Sequence, residues 1–115
     1  MGDESCAAVD NLHDLGQVLG ASDRVIALVY ATWCPFCRKV LPGFEKLARK
    51  EKRRLLLVAD DEERAADAYD IDIFPTLIFF EKGRIVKRLD GRPGVGLSEK
   101  QIADFIKSCP PAEPG

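Results

Sequence analysis

The sequence predicts an α/β domain in which a mixed central β-sheet carries helices on both faces. Three observations predict it. Arg24 to Tyr30 is a nearly unbroken apolar run of the kind that forms a strand covered on both sides. Strand-like and helix-like segments alternate through the first two thirds of the chain. The last third then changes to two strand-like runs across a tight turn, followed by a closing helix, which mixes an antiparallel pair into the sheet.

Taken in order, Cys6 to Val9 reads as a short edge strand, and Asn11 to Gly20 aligns Leu12, Leu15 and Leu19 on one helical face. Arg24 to Tyr30 is the central strand. From Pro35 to Glu51, Phe36, Val40, Leu41, Phe44, Leu47 and Ala48 recur at helical spacing, with Arg38, Lys39, Glu45, Lys46 and Arg49 opposite. Pro42 within this run predicts a kink rather than an end. Leu55 to Ala59 is a second apolar strand. The carboxylates of Asp60 to Glu63 then suit the positive end of a short helix through Ala65, Ala66, Ala68 and Tyr69, and read as its solvated start. Thr76 to Glu81 and Arg84 to Leu89, separated by Lys82-Gly83, should form an antiparallel hairpin. Gly91 to Gly96 is a loop with Arg92 exposed, and Ser98 with Gln101 forms a capping box that opens a last helix. Ile102, Phe105, Ile106 and Cys109 share one face of it. The expected domain is 6–109, with flexible ends at 1–5 and 110–115.

Composition narrows the function. A chain of 115 residues, 46% of them apolar, is enough for one core. Seventeen basic and 19 acidic residues are interspersed to a net charge of −2, so no basic field offers itself to nucleic acid or to an anionic membrane. Met1 to Ser5 is acidic rather than basic and then apolar, and no apolar run approaches the ~20 residues of a membrane span. A cytoplasmic location is the expectation. There, most thiols are kept reduced, so four cysteines favour a catalytic pair over a structural disulfide framework.

That pair is Cys34 and Cys37, within Trp33-Cys34-Pro35-Phe36-Cys37 at the junction between the central strand and the long helix. With Cys34 at the mouth of the helix and Cys37 one turn inside, the sulfurs lie close enough to bridge. The unpartnered N–H groups and positive partial charge of a helix start stabilise a thiolate on Cys34, and only the thiolate is nucleophilic. Pro35 fits the first helical position, where its missing N–H costs nothing, and Arg38 and Lys39 add positive charge nearby. The C-terminal end of a central strand is also where open α/β sheets place their active sites. Half of a zinc site is the competing use of two such cysteines. Tetrahedral zinc, however, needs four ligands, and no second closely spaced pair exists, leaving Cys6, Cys109 and His13 to converge by accident. His13 reads as a surface residue and Cys109 as a buried, inert thiol; Cys6 is undecided, and a Cys6–Cys109 bridge is open but unsupported.

Over Val9 to Ser108 these residues resemble the thioredoxin family. The resemblance is carried by Trp33 to Cys37, by Pro42 five residues past the second cysteine, by the pair Pro75-Thr76, and by Gly91 after the hairpin. It implies the thioredoxin fold and a protein dithiol–disulfide oxidoreductase that reduces partner disulfides through Cys34 and Cys37. It also implies a cis Pro75 lying against the sulfurs and exposing the backbone of Phe74 to a substrate peptide. Trp33, Phe74, Pro75 and Gly91 would form the substrate-binding surface, and Pro35 and Phe36 would tune the thiolate. No metal and no cofactor beyond the cysteine pair itself is implied. The partners would be disulfide-containing proteins and a separate reductase of the thioredoxin-reductase type, with the chain acting as a monomer.

The chain departs from the family in two ways. The buried aspartate and lysine that help many thioredoxins move the proton of the second cysteine correspond to Leu28 and Leu56, which implies a drier Cys37 with a raised pKa. In addition, Pro35-Phe36 replaces the usual Gly-Pro and looks more like the Pro-Tyr of glutaredoxins. A glutaredoxin-like or oxidising protein, or a non-catalytic binding module on the same fold, are the alternatives.

Overall fold

The computed structural model describes residues 7–51 and 53–110. The expected flexible ends through Ser5 and from 111 on, and Cys6 at the head of the expected first strand, lie outside the described residues.

The chain runs β1 (Ala7–Val9), α1 (Leu12–Ala21), β2 (Arg24–Tyr30), α2 (Pro35–Lys50), β3 (Leu55–Ala59), α3 (Arg64–Tyr69), β4 (Thr76–Glu81), β5 (Arg84–Asp90) and α4 (Glu99–Ser108). The strands form one five-stranded sheet in the order β1-β3-β2-β4-β5. β1 and β2 flank β3 in parallel, while β4 runs antiparallel to both β2 and β5. The mixed sheet expected from the sequence is therefore the one observed.

Side-chain alternation along each strand divides the core into two. Ile26, Leu28, Leu55, Leu57, Leu77 and Phe79 face one side and meet Val40 and Phe44 of α2 together with Ile102, Phe105 and Ile106 of α4. Val25, Ala27, Val29, Leu56, Val58, Ile78 and Phe80 face the other side and meet α1 and α3. β2 is fully buried from Val25 to Val29, as its continuous apolar sequence required.

Local signals fix the ends of the elements. Asn11 caps α1 by accepting from Asp14 N at 2.7 Å. Ser98 and Gln101 complete the capping box of α4. α2 continues through Pro42 to Lys50. The hairpin turn places both Lys82 and Gly83 at positive φ, the geometry that matches the twist of the strands it joins. At the far end of β5, Arg88 makes a two-pronged pair with Asp90, at 2.8 and 2.9 Å, and donates to the carbonyls of Tyr69 and Asp70. It thereby ties the end of α3 to the sheet, and the chain leaves that tie directly into the segment 71–75 that faces the cysteines.

Candidate active site

β2 ends at Tyr30, and four residues later the chain turns into α2 with Cys34 as N-cap and Pro35 at the first helical position. The N–H groups of Cys37 and Arg38 both donate to Cys34 O, so the cysteine's own carbonyl starts the helix while its side chain is left uncommitted to capping. The Sγ of Cys34 lies 3.8 Å from Phe74 O, and the Phe74–Pro75 peptide is cis. Cys34, Cys37 and Ala31 form a small cluster against which Tyr30, Phe36 and Phe74 pack.

Cys37 is completely buried, whereas Cys34 is 6% exposed. Next to Cys34 in the chain, Trp33, 55% exposed, meets Phe74 edge-to-face with centroids 5.7 Å apart. What reaches solvent opens into a cleft of about 350 Å³ lined by Cys34 together with Trp33, Phe36 and Phe74. Burial pushes the Cys37 thiol up to about 12. A backbone hydrogen bond with Ala31 pulls the other way, and the Cys34 sulfur adds to the rise through a hydrogen bond and its charge. Cys37 thus keeps its proton near neutral pH, while Cys34 is the sulfur that lines the cleft.

The structure draws Trp33, Cys34, Pro35, Phe36, Cys37 and Phe74 together around the cleft. Pro75 and Gly91 are buried. Gly91 N donates to Pro75 O at 3.0 Å, and a Cβ on Gly91 would stand 2.6 Å from that same oxygen. These two residues are therefore packed closely against each other, Pro75 next to Phe74 in the chain. Gly96 plays the same part against Phe36, since a Cβ at 96 would lie 2.8 Å from the Phe36 Cβ.

Two expectations are revised. Leu28 and Leu56 do not share a face, since β2 and β3 pair in parallel with Leu28 opposite Leu57. Leu57 is the residue beside Leu28 in the same core, and Leu56 points into the other one. The surroundings are apolar either way. The run Asp60 to Glu63 is also more than a solvated helix start. Asp60 is buried and accepts from Ala65 N and Ala66 N at 2.8 Å each, satisfying the first turn of α3. Asp61 accepts from Thr32 N at 2.7 Å and from Thr32 Oγ1 at 2.6 Å, and its carbonyl receives the Trp33 indole N–H at 3.2 Å. Those two bonds from Thr32, the hydroxyl first, hold the Asp61 carboxyl below the usual carboxylate range. Sequence reasoning missed Asp61 as an anchor of the cysteine loop. The available signal was the parallel pairing of β2 with β3, which sets residues 31–33 beside 60–61.

Among the described residues, no group of three or more His, Cys, Asp or Glu is placed to hold a metal ion. Cys109 is a buried thiol that donates to Phe105 O at 3.2 Å, and burial pushes its pKa up; His13 is exposed.

A dithiol at the end of the central strand of this mixed sheet, with one sulfur buried and protonated behind the other, defines a dithiol–disulfide exchange domain. Residues 9–108 match the family Thioredoxin, and the chain belongs to that family. It is 31% identical over 109 residues to a thioredoxin of Mycolicibacterium smegmatis, covering 90% of this chain and 97% of that one. It is also 26% identical over 112 residues to protein disulfide-isomerase A5 of Bos taurus, where the match covers 92% of this chain but 21% of the relative. The chain therefore spans about a fifth of the length of that disulfide isomerase. Among solved structures, a mutant thioredoxin from Halobacterium salinarum superposes with a TM-score of 0.77 at 27% identity, covering 100% of this chain and 98% of the other.

Proposed function

We propose that this protein reduces disulfides of partner proteins, with Cys34 as nucleophile and Cys37 as resolving thiol. The observation that carries the reading is the division of labour between the sulfurs. One lines an apolar cleft at a helix start, and the other sits behind it, dry and protonated. Trp33 and Phe74, with the main chain at Phe74, form the substrate-facing surface.

In the first step the Cys34 thiolate attacks one sulfur of the partner disulfide. The partner S–S bond breaks, a mixed disulfide forms, and the departing thiolate is free to take up a proton. Cys37 then gives up its proton and attacks Cys34 Sγ, the mixed disulfide breaks, and the second partner thiol leaves. Two electrons pass to the partner, and Cys34–Cys37 is left oxidised. With no carboxylate or ammonium at Leu28 or Leu57, the proton of Cys37 passes to the departing thiolate or to water. A separate reductase restores the dithiol, and the reducing conditions of a cytoplasm suit that cycle.

The test is a pair of variants. Cys34→Ser should abolish turnover, and Cys37→Ser should accumulate partner proteins covalently held on Cys34; turnover that survives the first change rejects the assignment. A second reading, disulfide formation or isomerisation, is favoured by Pro35-Phe36 between the cysteines and by the likeness to protein disulfide-isomerase A5. Equilibration with glutathione decides between them. A reductant should settle near the thioredoxin value of about −270 mV, and an oxidant or isomerase nearer about −180 mV.

A further inference from the structure

The cleft that gives access to Cys34 has a chemical asymmetry. Its rings, Trp33, Phe36 and Phe74, are apolar, and the charged side chains lining it among the described residues are two acids, Glu63 and Asp72. Neither carboxylate is spent on the fold. Glu63 is the N-cap of α3 yet makes no side-chain cap bond, because Asp60 satisfies that helix instead. It is nevertheless held in the left-handed region, at φ 59, a conformation that non-glycine residues rarely adopt and that concentrates at functional sites. Asp72 is exposed, and its carboxylate feels Arg88 only as a longer-range attraction. Of the cations near this end, Arg64 pairs with Glu62 and Arg88 is taken up by Asp90 and two carbonyls, while the exposed Arg38, Lys39 and Arg92 do not line the cleft.

Resting on the disulfide-exchange reading above, we propose that Glu63 and Asp72 are specificity residues. They select partner segments in which the cysteine to be attacked is flanked by lysine or arginine. Charge complementarity identifies the occupant. An extended segment seated against Phe74 would lay apolar groups on the rings and bring a neighbouring basic side chain to the two carboxylates, where the face of Trp33 also favours a cation. The same field would draw basic segments toward the cleft before contact and would weaken in salt.

The test uses two disulfide-linked peptides identical except for Lys or Glu beside the reactive cysteine, with the reduction rate by the pre-reduced protein measured at low and high ionic strength. The Lys peptide should react about fivefold to tenfold faster at low salt, from exposed pairings each worth a factor of up to about five, and the gap should narrow at high salt. Glu63→Gln with Asp72→Asn should close that gap by slowing the Lys peptide, while Glu62→Gln, just outside the cleft, should leave it open. Equal rates in the unmodified protein, a gap that persists in the double variant, or a gap that Glu62→Gln also erases would overturn the proposal. Reduction of neither peptide would instead bring down the disulfide-exchange reading, and this selectivity with it.

Discussion

At the scale of single residues, two cysteines one helical turn apart differ chiefly in depth. Cys37 is wholly buried and its thiol is pushed up to about 12, while Cys34 lines the cleft. The consequence for stability has a definite sign. An unfolded thiol ionises near 9, so between that value and about 12 the folded state holds a proton that the unfolded state releases. The stability this thiol contributes is therefore fully present below pH 9 and is lost as pH climbs toward 12. Tyr69 and Cys109, also raised by burial, act in the same direction. Denaturant midpoints of the reduced protein should accordingly fall across this range, and Cys37→Ala should flatten part of the slope. Alkylation of Cys37 in a Cys34→Ser background, followed by peptide mapping, checks the cause directly. The Cys37 peptide should stay unlabelled at a pH just above 9, where an unfolded thiol is already ionised, and labelling at neutral pH would refute the burial argument.

At the scale of elements, what the sequence disclosed was whatever a short window contains. The periodicity of α2, the unbroken apolar run of β2, the Lys82-Gly83 turn and the Ser98/Gln101 box all depend on neighbours within a few residues, and the structure shows each of them. The cysteine motif was legible for the same reason. Asp61 was not, because its partners Thr32 and Trp33 stand 29 and 28 residues away and come within reach only after β2 and β3 pair. This junction between two strand ends makes a prediction. Asp61→Ala removes both carboxylate bonds to Thr32 while leaving the exposed surface otherwise intact, so the loop carrying Trp33 should loosen. Trp33 is the sole tryptophan, and its emission should shift and become more readily quenched. Disulfide reduction should slow several-fold, since small misplacements of a reacting group are costly. In the parent protein the same effect should appear on acidification. The Asp61 carboxyl is held below its ordinary value of 3.8, so the anchor persists above that range and is lost as pH falls through the lower, folded value. An Asp61→Ala variant with unchanged emission and rate would show that the loop is held by other contacts.

At the scale of the whole molecule, the sheet sorts alternate residues into two separate cores, and a one-residue error in register exchanges them. Leu56 and Leu57 illustrate this, being equally apolar and buried and yet on opposite sides. Composition and periodicity could not tell which faces Leu28; the pairing of β2 with β3 does. The assignment is testable by building an ion pair into the core. Leu28→Asp alone places an unpaired carboxylate among Ile26, Val40 and Phe44 and should cost about 3–5 kcal/mol of stability in denaturant unfolding. Adding Leu57→Lys sets a lysine opposite it on the neighbouring strand, whose backbone runs roughly 4.8 Å away, and should recover much of that loss. Adding Leu56→Lys instead sends the ammonium into the core formed with α1 and α3, where no carboxylate waits, and should deepen the loss. Recovery with Lys at 56 and not at 57 would mean that the register, and with it the arrangement of apolar groups on the α2 side of the sheet, is the reverse of the one described.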